Sequence, residues 1–221
     1  MFLFNRYFFR ACSIILLLAG LASGVGCTGV PGPDQFKHQF IAYHDSGTYE
    51  REIERAAAKA IKHMESYQNS KQKLAVVLDI DETSISNWQD ILKEDFGYNK
   101  SIWDKWADKA QAPAIKPTLE LFNQAKKMGI SVFFITGRRE SLRDVTVKNL
   151  HYAGYSDWKN LIMVPDDANV PRIETFKTAA RKKIDEEGFH IIINMGDQRS
   201  DLKGGFADRT YKLPNPFYHV S

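Results

Sequence analysis

Residues 74–88 read LAVVLDIDETSISNW. Five apolar residues, Leu74 to Leu78, with a β-branched pair at Val76 and Val77, predict a strand that ends at two aspartates, Asp79 and Asp81. Two carboxylates so close repel each other and are costly to bury. If the backbone stays extended through them, alternation turns both side chains to one side, where something must neutralise or use them.

Working outward, short apolar runs alternate with helical patterns. GISVFFIT, NLIMV and FHIIINMGD read as further strands, separated by helices near 118–127, 141–153 and 174–187. Continuous apolar strands with intervening helices predict an α/β chain with a Rossmann-like central parallel sheet covered on both faces. Upstream, residues 49–68 place Ile53, Ala57, Ala60, Ile61 and Met64 at helical spacing, with Ser46 or Thr48 as the expected cap. Residues 84–117 break the alternation with aromatics and charges and are expected to lean over the sheet edge as a small cap.

Ligands of open α/β sheets bind at the carboxyl ends of the strands. Three of the strand-like runs end in loaded sequences there: DIDET, TGRRE and GDQRSD. Asp79, Asp81, Asp197 and Asp201 thus converge on one edge, and an oxygen-only ligand set of this kind suits Mg²⁺. No histidine pair has zinc-ligand spacing. Beside a cation, Asp79 could attack a phosphoryl group, while Asp81 protonates the leaving oxygen and then deprotonates water. Thr136, just before Gly137, and Lys177, on the helix before the last strand, are the expected donors to phosphate oxygens.

Together these residues resemble the four motifs of the haloacid-dehalogenase-like (HAD) phosphohydrolases: DxDxT at Asp79, Asp81 and Thr83, the strand-ending Thr136, the upstream Lys177, and GDxxxD at Asp197 and Asp201. DIDETSISNW, GRRESLRDVTVKNLHYAGYSDWKNL and YKLPNPFYHV are similar, more narrowly, to the acid phosphatase branch, subfamily IIIB, that holds plant vegetative storage proteins and bacterial e-type outer-membrane lipoprotein phosphatases. The resemblance implies an aspartyl-phosphate on Asp79, acid/base work by Asp81, and Mg²⁺ held by Asp79, Asp197 and the Asp81 backbone carbonyl, with Asp201 in support. It also implies phosphate contacts from Thr136 and Lys177. Some storage members lack the nucleophilic aspartate and are poor catalysts, so a weakly catalytic surface binding or storage protein is the rival expectation. A dehalogenase is disfavoured, because halide departure needs no acid such as Asp81.

At the N-terminus, Arg6 and Arg10 precede an apolar run that is short for a membrane span, which reads as an export signal over residues 1–26. GVGC resembles a lipoprotein cleavage box, making Cys27 a candidate lipid attachment site; the alternative is a soluble periplasmic or secreted protein. Residues 27–42 read as a Gly- and Pro-rich tether, and 43–221 as the folded domain. Loss of Arg6 and Arg10 lowers the formal charge from +3 to +1, which gives no electrostatic basis for a nucleic-acid partner. The expected partners are small phosphomonoesters, with nucleoside monophosphates among them, because Trp88, Tyr98, Trp103 or Trp106 could stack on a base. Glu82, Asp90, Glu94 and Asp95 read as solvated, Asp166 and Asp167 as loop, and LPNPFYHV as a docked edge without a catalytic role.

Overall fold

The run Leu74 to Leu78 lies in β1 (Lys73–Leu78) of a computed structural model that describes residues 32–219. Its apolar residues are buried on both sides because the strand is central. It pairs in parallel with β2 (Ser131–Arg139) and β4 (Phe189–Gly196), and the five-stranded sheet runs β3-β2-β1-β4-β5, with β3 at Asn160–Val164 and β5 at Arg209–Lys212. All pairings are parallel, as the uninterrupted apolar runs require. β5 was not expected: RTYK is short and largely exposed, so it carries no apolar signature.

Alternation divides the sheet residues between two cores. Ala75, Val77, Phe133, Ile135 and Ile191 pack with Ala180 and Ile184 of α7 (Ile173–Glu186). Leu74, Val76, Leu78, Val132, Phe134 and Met195 face α2 (Thr48–Glu65), α5 (Lys116–Lys127) and α6 (Arg143–Tyr152). Asp79 follows Ala75 and Val77 in phase, so its side chain emerges on the α7 face, and its N–H extends the ladder to the Met195 carbonyl at 3.0 Å. The chain visits β2 and β3 on one side of β1 and then crosses to β4, so the switch point lies between the carboxyl ends of β1 and β4.

Residues 84–117 carry α3 (Trp88–Lys93) and α4 (Lys100–Ala107). Their ends are pinned together at the mouth of β1: Ile115 N–H donates to the Ser84 carbonyl and Ser86 N–H to that of Pro113, both at 2.9 Å.

Two local expectations are corrected. The segment expected as tether is helical from Pro33, forming α1 (Pro33–Asp45), because Phe36, Phe40, Tyr43 and His44 fall at helical spacing and Pro suits a first turn. Phe40 and Tyr43 pack on the core, His44 stacks on Trp88 at 3.9 Å, and Lys37 pairs with Asp95. The residue preceding α2 is Gly47 at φ 72°, a left-handed turn between the two helices that leaves neither Ser46 nor Thr48 as its cap. Residues 1–26 and Cys27 lie outside the described residues. No helix among the described residues is long and apolar enough to cross a membrane.

Candidate active site

The switch point gathers residues from four parts of the chain. Asp79, Asp197 and Asp201 are buried and present carboxylate oxygens within 4.8 Å of one another. Lys177, on the buried side of α7, donates to Asp79 Oδ1 at 2.5 Å and to Asp201 Oδ1 at 2.6 Å. The oxygen-only donor set of these three buried carboxylates fits a divalent cation.

Each carboxylate is fixed by its surroundings. Asp201 sits in the first turn of α8 (Arg199–Leu202), where its Oδ2 accepts from the Gln198 N–H at 2.7 Å. Its backbone carbonyl is held by Arg181 Nη1 at 2.7 Å and Asn194 Nδ2 at 2.8 Å. Gly196 makes room for it, since a Cβ there would lie 2.3 Å from Asp201 Oδ2. Asp197 Oδ1 accepts from Thr83 Oγ1 at 3.1 Å, and its Oδ2 accepts from Gln198 Nε2 and Asn215 Nδ2, both at 2.7 Å. Thr83 of the DxDxT pattern thus links the β1 turn to the β4 turn. Burial, reinforced by Asp201, lifts the Asp197 carboxyl to about 6 against the pull of Asn215, Gln198 and Lys177. Burial also pushes Asp79 well above the carboxylate range, with Asp201, Asp197 and Asp81 adding to the rise and Lys177 opposing it.

The Asp81 carboxylate is not part of the triad. Its Oδ1 accepts from Arg138 Nη2 at 2.6 Å and Asn87 Nδ2 at 2.8 Å, and its Oδ2 from Arg138 Nε at 3.0 Å. Burial opposes its charged form, but Arg138 and Asn87 outweigh burial and hold the carboxyl below its usual range. Thr136 is buried, its Oγ1 accepting from the Arg138 N–H at 3.2 Å, and Gly137 is exposed next to it.

Sequence reasoning missed Arg138, Asn87 and Asn215. Strand β2 continues through Thr136 to Arg139, so Arg138 alternates onto the side of Thr136; a strand ended at Thr136 hides this. Asn215 had no signal, since it reaches Asp197 only because the tail folds back past Leu213, whose N–H donates to the Gly196 carbonyl at 2.9 Å. The tail therefore serves the site, correcting its assignment as a bare edge: Tyr218 OH also donates to Glu82 Oε2 at 2.8 Å.

Glu82 and Asp90 are buried rather than solvated. Glu82 is 2% exposed and takes a left-handed φ of 53°, a conformation that costs a non-glycine residue about 1–3 kcal/mol. The N–H of Asn87 and the Tyr218 hydroxyl hold it there. Burial and the neighbouring Asp81 raise its carboxyl to about 8. Of the candidate stacking aromatics, Trp88 is committed to packing against His44 and Phe217, and Tyr98 is 74% exposed. Trp103 lies 5.3 Å from the Arg138 guanidinium, and Trp106 Nε1 donates to Asn87 Oδ1 at 2.8 Å.

Comparison with known proteins gives a consistent picture. The family model for HAD superfamily, subfamily IIIB (Acid phosphatase), matches residues 30–221. The chain is similar to Acid phosphatase 1 of Solanum lycopersicum, 37% identical over 177 residues that span 78% of this chain and 69% of that protein. It is also similar to the Stem 28 kDa glycoprotein of Glycine max, 39% identical over 150 residues, or 65% of this chain and 59% of the relative. Among solved structures, the class C acid phosphatase from Bacillus anthracis shares the fold: TM-score 0.68, 21% identity, covering 85% of this chain and 86% of that one.

Proposed function

Because this chain belongs to the acid phosphatases of HAD superfamily subfamily IIIB, we propose that it is an exported, Mg²⁺-dependent hydrolase of small phosphomonoesters. The observation that carries the reading is the buried cluster at the β1/β4 switch point, where Lys177 bridges Asp79 and Asp201 beside Asp197. In this reading residues 1–26 are the export signal, Cys27 is the lipid attachment site, residues 43–221 together with all of α1 form the catalytic domain, and 84–117 form its cap. Nucleoside monophosphates belong to the proposed substrates.

Asp79 attacks phosphorus, and the bond from phosphorus to the leaving oxygen breaks as Asp81, in the fraction that acid pH protonates against the pull of Arg138, delivers a proton to that oxygen. Asp81, now a carboxylate, removes a proton from water as the water oxygen attacks the phosphoryl group on Asp79. Inorganic phosphate leaves and Asp79 is regenerated. Lys177 spends two of its three ammonium protons on Asp79 and Asp201 and has the third for a phosphate oxygen. Thr136 adds its hydroxyl and N–H. Asp79, Asp197 and the Asp81 carbonyl would hold Mg²⁺, with Asp201 behind them; bound there, the ion supplies charge neutralisation for the carboxylates and the phosphoryl oxygens.

The test is hydrolysis of p-nitrophenyl phosphate with Mg²⁺, its arrest by EDTA, and its loss in Asp79→Asn, a near-isosteric change. Turnover at the wild-type rate in Asp79→Asn refutes the mechanism. A folded wild-type protein with no turnover on any phosphomonoester favours the storage or binding function of the same fold.

A further inference from the structure

Asn87 is held on three sides. Its Oδ1 accepts from Trp106 Nε1 at 2.8 Å, its Nδ2 donates to Asp81 Oδ1 at 2.8 Å and Glu82 Oε2 at 3.1 Å, and its backbone N–H donates to Glu82 Oε1 at 2.5 Å. The two ends of a carboxamide are alike in shape, so its partners decide which end faces which way. An indole N–H can only donate. Trp106 therefore draws Oδ1 toward α4, which leaves Nδ2 for the two carboxylates.

This makes the two oxygens of Asp81 unequal. Among the described residues, Oδ1 receives two donors, Arg138 Nη2 and Asn87 Nδ2, whereas Oδ2 receives one, Arg138 Nε. A carboxylate oxygen has about two acceptor positions, so Oδ1 is filled and Oδ2 keeps one open.

We propose that Asn87 is a positioning residue that assigns proton transfer to Asp81 Oδ2, and that Trp106 sets its orientation, so that α4 takes part in departure of the leaving group. The proposal rests on the reading of Asp81 as the proton-transfer group. In the first step the proton on Oδ2 passes to the leaving oxygen as its bond to phosphorus breaks. In the second, Oδ2 takes a proton from water as the water oxygen bonds to phosphorus and the bond from phosphorus to the Asp79 carboxyl oxygen breaks. Without Asn87, Arg138 gives each oxygen one donor, so Oδ1 and Oδ2 each keep an open position and compete for the proton.

A poor leaving group needs this proton more than a good one, so the test compares phenyl phosphate with p-nitrophenyl phosphate. In Asn87→Ser, kcat/KM for phenyl phosphate should fall on the order of 10- to 100-fold, while p-nitrophenyl phosphate loses no more than about 3-fold, since general acid catalysis matters less for the better leaving group. Trp106→Phe, which keeps a ring in place but removes the donor, should move the ratio in the same direction by less, and it carries the test if Asn87→Ser does not fold. Equal losses on the two esters, as a merely structural role produces, overturn the proposal. Asp81→Asn is the control: if it shows no preference for the better leaving group, or if the wild-type protein turns over neither ester, the parent reading falls and this one with it. If the control behaves and both variants leave the ratio unchanged, this proposal alone fails.

Discussion

Replacing Arg138 by Met should cost about 2–4 kcal/mol of stability. The guanidinium is 3% exposed and grips both oxygens of Asp81 while donating to Thr146 Oγ1 at 3.2 Å. Removing one partner of a fully buried ion pair costs about 3–5 kcal/mol because the other charge is stranded. Asp81 is 22% exposed, so water recovers part of that loss. For a domain of this size the change lowers the melting temperature by roughly 4–16 °C. The assay is a double-mutant cycle by urea or thermal unfolding with Arg138→Met, Asp81→Asn and the pair. Because most of the penalty is the stranded carboxylate, the double variant should be more stable than Arg138→Met alone. The pH dependence follows from the sign of the shift. Asp81 has a lowered folded pKa, so the pair contributes stability above the unfolded value and loses it as pH falls through the folded one. The gap between wild type and Arg138→Met should therefore be full near neutrality and close below about pH 4. A loss within about 0.5 kcal/mol, the usual range for surface substitutions, would refute the reasoning; so would a double variant no more stable than the single.

Asn215→Ala removes one of the donors that orient Asp197 and should weaken Mg²⁺ binding by about 10- to 100-fold in calorimetric titration, as loss of a partner behind a metal ligand does; unchanged affinity excludes a role for the tail in the metal site. Gly196→Ala places a methyl group 2.4 Å from Asp201 Cβ, so Asp201 must move; a cost of about 1–3 kcal/mol in urea unfolding is expected, with a smaller rise in melting temperature on adding Mg²⁺ than wild type shows. A variant as stable and as Mg²⁺-responsive as wild type counts against Asp201 as a fixed member of the cluster.

The sheet was legible because a parallel, doubly covered strand must be apolar through its buried core, and LAVVL, VFFI and III meet that condition. The convergence was legible because a parallel sheet brings its strand ends to one edge: Asp79, Asp197, Asp201 and Lys177 do meet there. The outlying pieces were harder to read for a physical reason. β5 is short and polar, and α1 begins behind Gly and Pro residues that signal a turn, although its aromatic stripe packs on the core.

Glu82 shows where local reasoning ends. A glutamate next to an aspartate pair reads as solvated, since an isolated buried charge is costly. Here donors from Asn87, five residues on, and Tyr218, 136 residues on, make its burial tolerable. Asn215 on Asp197, Arg138 on Asp81 and Trp106 on Asn87 are likewise products of folding. Local periodicity and strand-end chemistry are properties of a few adjacent residues, so they are written in the order of the chain. A polar network between distant segments depends on distances set when the helices dock and the tail returns, and those distances choose which oxygen of Asp81 stays open.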